Sequence, residues 1–226
     1  MFKIDGNSIY VYGVIGPSWA GYISDSQVID ALHQLKGKEV HLRINSPGGS
    51  VDMGISIQGA IKRHGNVISH IDALGASIAS VFPLASKQVV ISKGAKMMIH
   101  EPWTIELGNA KILRKTAEVL DKYNADIADI YNEKTGKPIK KIFEMLEAET
   151  WFTSQEAIDF GLADAVDPNA PEEEPVAPQG LFKNVPSDVR QSASPIFGAV
   201  NPDYNLILAK ARQAIAQSKS LDIGNL

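Results

Sequence analysis

The chain contains no cysteine. That absence removes disulfides, thiolate nucleophiles and cysteine-ligated zinc together, and it fits a reducing compartment. Charge of one sign is also missing: 22 Lys and Arg against 26 Asp and Glu leave a net charge of −4, which argues against nucleic acid as a partner. The longest apolar stretch, around Ala73 to Ala85, is broken by Ser77, Ser80 and Pro83 and is too short to cross a bilayer, so no membrane partner is expected. The opening "MFKIDGNSIYVYG" has Asp5 soon after its lysine and no apolar run or small-residue cleavage site, so it reads as no signal peptide. Neither G-x-G-x-x-G nor G-x-x-x-x-G-K-[ST] occurs; the dinucleotide and phosphate-loop fingerprints are absent, and no nucleotide cofactor is expected. No two of the five histidines stand at an H-x-x-x-H spacing, so no metal site is expected either.

What is present is enough apolar material, 44% of 226 residues, for one main domain. Strands are predicted at 9–15, 40–45, 66–74, 88–92 and 96–100. Helices are predicted at 24–36, 52–65 and 76–86, at 111–131 and after Pro138. This alternation implies an α/β fold with a mainly parallel sheet, in which sites lie at the carboxyl ends of strands. Ile112, Leu113, Leu120, Ile127 and Ile130 form an apolar stripe along a long amphipathic helix. After Asp167, "PNAPEEEPVAPQG" is proline-rich and acidic and reads as extended linker. The division is a domain over 1–167, a flexible linker over 168–200 and a short helical tail over 201–226.

Four stretches could carry chemistry. "INSPGG" (44–49) follows a strand, and its glycines let backbone approach a ligand or aim an amide into a cavity; an ordinary turn explains them as well. "LGASIASVF" (74–82) puts Ser77 where a strand meets a helix, with the Ile78 amide next to it. The pattern is G-x-S-x-A rather than G-x-S-x-G, and small residues also suit plain packing. Ser80 is the non-catalytic twin. "MMIHEPW" (97–103) places His100 at a strand end, suited to a general base. His33 and His64 read as surface residues, and His41 and His70 as structural groups inside strands. For a carboxylate to orient the base, "EAETWFT" offers Glu147 and Glu149, and spacing leaves Asp52 and Asp72 open as well.

Taken in order, "INSPGGSVDMGISI", "ALGASIAS", "MMIHEP" and "FTSQEAIDFGLAD" resemble the proteolytic subunit of the Clp protease family, over roughly residues 10 to 167. "ETWFT" and the C-terminal extension are most similar to the Clp-like proteases of tailed phages and prophages, which mature the procapsid. The resemblance implies a crotonase-like fold of stacked β-β-α units with a long handle helix, and an ATP-independent serine endopeptidase. Ser77 matches the nucleophile, His100 the base, and Gly48 and the Ile78 amide the oxyanion donors. The family's aspartate aligns with Glu149. The segments carrying Gly49 and Ser50, and the one carrying Trp103, would hold a peptide substrate as an added strand.

The resemblance further implies a homo-oligomeric ring, with rings stacked through helix 111–131. Capsid or scaffold protein would be the partner, and the setting the bacterial cytoplasm or a phage prohead. The chain starts close to its first strand, which implies little room for the axial loops that dock an unfoldase. Two other readings share the fold: an acyl-CoA hydratase or isomerase, and a non-catalytic assembly protein using its tail as a scaffold.

Overall fold

A computed structural model describes residues 1–167 and 174–192. The expected tail 201–226, and parts 168–173 and 193–200 of the expected linker, lie outside the described residues. The first elements in chain order are β1 (Phe2–Asp5), β2 (Ser8–Tyr12), α1 (Asp25–Gln34), β3 (Val40–Ser46), α2 (Val51–His64), β4 (Val67–Ala76) and α3 (Ile78–Val81). Next come β5 (Gln88–Ser92), β6 (Lys96–Ile99), α4 (Ala110–Thr135), α5 (Ile139–Glu147) and β7 (Thr150–Thr153). The last are α6 (Ser154–Phe160), β8 (Ala165–Asp167), β9 (Val176–Pro178) and β10 (Arg190–Ser192).

The α/β class is as expected. β2, β3, β4, β5 and β8 pair in parallel in that order, and β1 adds an antiparallel edge. The first strand departs from the expected 9–15: β2 stops at Tyr12, and a hairpin through Gly6 and Asn7 adds β1 before it. Gly6 sits at φ +57, the first central position that such a two-residue loop reserves for glycine. β1 is mostly exposed and so lacks the apolar alternation that marks a strand in sequence.

β4 carries the geometry of the site. Its first half pairs with β5, from Ile68 opposite Gln88 to Ile71 opposite Ile91. Its last residues leave that partner and pair with β6, Leu74 opposite Lys96 through Ala76 opposite Met98. β6 in turn pairs antiparallel with β7. One strand therefore belongs to two layers, and from Asp72 to Ala76 it is buried throughout. The small residues Ala73, Gly75 and Ala76 permit this.

The helices follow from their caps. Ser24 and Gln27 form a capping box ahead of α1, Ser50 caps α2, and Thr153 with Glu156 caps α6. The helix expected over 76–86 is instead strand to Ala76, the short α3, and a 3-10 turn over Phe82–Ala85. Pro83 marks the break, because it has no N–H to continue the helical bonding and instead sits in the first turn of the 3-10 segment. α4 outruns the expected 111–131 at both ends, between an Asn109 cap and left-handed Gly136. Only Ile127, Ala128 and Tyr131 of α4 are buried; Ile112, Leu113 and Val119 near its start are exposed.

The face of the sheet that carries alternate residues of β2, β3 and β4 holds a polar network. Arg43 donates twice to Asp72 (2.9 and 2.6 Å), and the Tyr12 hydroxyl donates to the same carboxylate (2.6 Å). His70 meets Asp167 at 2.7 Å and His41 at 3.0 Å. The two histidines are thus satisfied structural groups, as expected. His64 is half-buried, its Nε2 at 3.2 Å from the Leu35 carbonyl, rather than a surface residue.

Within the stretch expected to be extended linker, the described residues are packed. β9 and β10 pair in parallel, and Ala177, Phe182 and Val189 cluster with Leu74, Ala76 and Met98. Lys96, itself buried, reaches Asp188 at 2.7 Å. Large apolar residues return after Gly180, and burying them offsets the entropy of ordering the segment.

Ser80 is buried and turned inward, its hydroxyl bonding the carbonyls of Ser77 at 2.6 Å and Met98 at 3.0 Å and the Tyr131 hydroxyl at 2.7 Å. Tyr131→Phe removes a fully buried partner and should cost about 1–3 kcal/mol in denaturant unfolding, with the reactivity of Ser77 retained.

Candidate active site

Ser77 is the single residue between β4 and α3. Its backbone lies at φ 56, ψ −132, a left-handed value that a non-glycine residue adopts at a cost of about 1–3 kcal/mol. Two contacts hold it there. The Ser77 amide donates to the Met98 carbonyl at 2.9 Å, extending the β4–β6 pairing past the turn. The Ile78 side chain, next in line, packs on Gly54 of α2 so closely that a Cβ there would lie 2.0 Å from Ile78 Cγ1. The strain is therefore set by the packing of α2 and β6 around the turn, and it pushes the Ser77 hydroxyl out of the helix.

The β4–β6 register then delivers His100. Ala76 lies opposite Met98, so His100 emerges from β6 beside Ser77, and its Nε2 stands 2.8 Å from Ser77 Oγ. With the Nε2 lone pair free, the hydroxyl donates to it, the geometry of a nucleophile with its general base. Burial pushes the imidazole's pKa below its ordinary value; the Glu149 charge raises it and the Lys183 charge lowers it. The neutral, proton-accepting form is thus the one present at neutral pH.

The β6–β7 register brings in the carboxylate. Ile99 lies opposite Thr150, which places Glu149 across from His100, but the carboxylate spends its hydrogen bonds on other groups and makes none to the imidazole. Glu149 is buried and is the second non-glycine residue at positive φ, +52. Its oxygens accept from the backbone amides of Lys183 (2.8 and 3.0 Å) and Asn184 (2.6 Å), and from Trp151 Nε1 at 3.4 Å. The other carboxylates are placed elsewhere. Asp72 is held by Arg43 and Tyr12, Asp52 accepts from Tyr123, and Glu147 is exposed.

The loop between β3 and α2 closes the other side. Gly48, at φ +95, is pressed against the turn: a Cβ would lie 2.6 Å from Ser77 Cβ and 2.8 Å from the Ala76 carbonyl oxygen. Gly49, at φ +142, faces Ile15, whose carbonyl would lie 2.0 Å from such a Cβ. Both positions exclude any side chain. The Gly48 amide donates to Ser46 Oγ at 3.1 Å, and the Ser50 amide donates to the Ile15 carbonyl. Ile78 opens α3, its amide directly after Ser77.

A mainly apolar cleft of about 390 Å³ runs between these parts, with Gly48, Gly49, Ser50, Ser77, His100 and Trp103 on its walls. Sequence reasoning missed Ile15 and Tyr22 on one wall and Leu181 and Phe182 on another. Phe182 stands edge-on to His100, with ring centroids 5.7 Å apart. Among the described residues, no cluster of three or more His, Cys, Asp or Glu could hold a metal ion, and no helix is long and apolar enough to cross a membrane.

The family model described as Clp protease matches residues 9–169. The ATP-dependent Clp protease proteolytic subunit 1 of Protochlamydia amoebophila is 34% identical over 152 residues, 63% of this chain and 74% of that protein. The protein of the same name from Chlamydia caviae is 33% identical over 156 residues, 64% of this chain and 82% of its own length. That from Leifsonia xyli is 29% identical over 132 residues, 57% and 67% respectively.

Two outcomes are expected. Gly48→Ala should lower stability in denaturant unfolding, because its Cβ meets the Ala76 carbonyl, and its folded fraction should react with a serine-directed fluorophosphonate about 10–100-fold more slowly, because it displaces the Ser77 side chain. In pH–rate profiles of that reaction, the acid limb should lie below the pH of an ordinary histidine. Glu149→Gln removes a charge that raises the His100 pKa, so it should move the limb lower still; Lys183→Gln removes one that lowers it and should move the limb up.

Proposed function

From the premise that this chain belongs to the Clp protease family and is a serine-type peptidase, we propose that Ser77, His100 and Glu149 are its triad. The observation that carries this reading is the 2.8 Å approach of His100 Nε2 to the hydroxyl of a strained Ser77. His100 takes the proton as Ser77 Oγ attacks the scissile carbonyl carbon. The carbonyl oxygen becomes an oxyanion, held by the amides of Ile78 and Gly48. The Gly48 amide first has to leave Ser46 Oγ. His100 then gives its proton to the leaving amine as the C–N bond breaks. Water, deprotonated by the same imidazole, cleaves the acyl-enzyme and returns the proton to Ser77. From its place near His100, the Glu149 charge stabilises the imidazolium form.

Substrate enters as an extended polypeptide along the cleft, with Gly49, Ser50 and Trp103 on its flanks. Members of the Clp protease family form oligomeric rings and act on protein substrates. The exposed apolar start of α4 supports stacking of two rings through that helix. The similarity of "ETWFT" and of the C-terminal extension to the phage and prophage branch supports a finer role, ATP-independent processing of capsid or scaffold protein.

The decisive experiment is intact-mass spectrometry after fluorophosphonate treatment of wild type, Ser77→Ala and Ser80→Ala. One adduct is expected on wild type and on Ser80→Ala, and none on Ser77→Ala. An assembled wild type that takes no adduct defeats the peptidase mechanism.

A further inference from the structure

We infer that residues 181–184 of the C-terminal extension are a working part of the active site: the backbone amides of Lys183 and Asn184 are the positioning groups that fix where the Glu149 carboxylate stands near His100. The inference rests on the triad proposed above. Residues 181–184 lie beyond the segment that matches the family model, 9–169, so this chain adds them to the shared fold.

Three observations converge. First, both Glu149 oxygens accept from these amides, at 2.6 to 3.0 Å. Two convergent N–H donors fix a carboxylate in place without neutralising it, so its charge still acts on the imidazole. Second, Glu149 sits at φ +52, a strained setting that persists only when surrounding groups over-determine it. The Asn184 side chain adds to that hold by donating to the carbonyl of Ala148 at 2.9 Å.

Third, the extension is clamped and does not fill the cleft. Phe182 is buried edge-on between His100 and Trp151, with centroids 5.7 and 5.5 Å away. Lys96 grips Asp188 at 2.7 Å. The cleft in front of Ser77 stays open, with Leu181 and Phe182 as one wall. A segment that walls the site and holds its acid is a support, whereas an autoinhibitory plug would occupy the space.

The test compares Asn184→Pro, which deletes one amide donor, with Asn184→Ala, which keeps it and removes the side-chain bond. Both are made in the full chain and again in a Glu149→Ala background. The readout is the maximal rate of Ser77 labelling by a fluorophosphonate and its half-saturating concentration, with fold and ring state checked on each variant. Asn184→Pro should lower the maximal rate about 10-fold or more with half-saturation little changed, Asn184→Ala should stay within about 2-fold, and Asn184→Pro should cost nothing further once Glu149 is gone. Lys183→Pro against Lys183→Ala repeats the comparison at the second amide if Asn184→Pro does not fold.

Equal rates for the proline and alanine variants overturn the inference and leave the triad standing. The same fold-loss in the Glu149→Ala background reduces the segment to general scaffolding. A rise in rate makes it an obstruction instead. A wild type that takes no label removes the triad and this inference with it.

Discussion

Everything at the site depends on one steric constraint, the contact between Gly48 and Ser77. The loop after β3 and the turn after β4 meet at a distance that leaves no room for a Cβ, and each has left-handed backbone at the point of contact. Neither conformation is favourable alone. They are compatible because α2, which begins just after the loop, also packs through Gly54 onto Ile78, the residue after Ser77. The glycines at 48, 49 and 54 therefore form one device. They let two strand ends and a helix start converge within the reach of a hydrogen bond.

The double membership of β4 completes the arrangement. A strand that kept β5 as its partner to the end would leave β6 no place beside it. Because β4 changes partner after Ile71, β6 and then β7 are brought alongside it. Ser77, His100 and Glu149 then arise as consecutive consequences of two registers. The spacing of the three residues in sequence, 23 and 49 apart by their numbers, carries no trace of this. Only strand pairing makes them neighbours.

That division explains what was legible in the sequence. The parallel α/β class and the strands β2 to β6 were readable because they are local: alternation for β3 and a short apolar run for β5. Ser77 and His100 were visible as candidates because each falls where a strand ends. The acid could not be chosen from spacing, since Asp52, Asp72, Glu147 and Glu149 differ only in tertiary partners. β1 was missed because an exposed edge strand has no buried face to pattern. The packed part of the extension was missed because the prolines and glutamates before Gly180 hide the signal. The apolar pair Leu181 and Phe182, just after them, was the clue available. The tail over 201–226 lies outside the described residues.

α4 has one more consequence. Its last turns are anchored by Ile127, Ala128 and Tyr131, while its first turns expose apolar side chains to water. Such a helix has a gradient of local stability along its length, lowest where few side chains are buried. Amide hydrogens near residues 112 to 120 should exchange early in an isolated protomer and late once another surface covers them. The two ends of one helix thus act as reference and indicator: exchange at the anchored end reports the intrinsic fold, and exchange at the other reports how much of the protein has assembled.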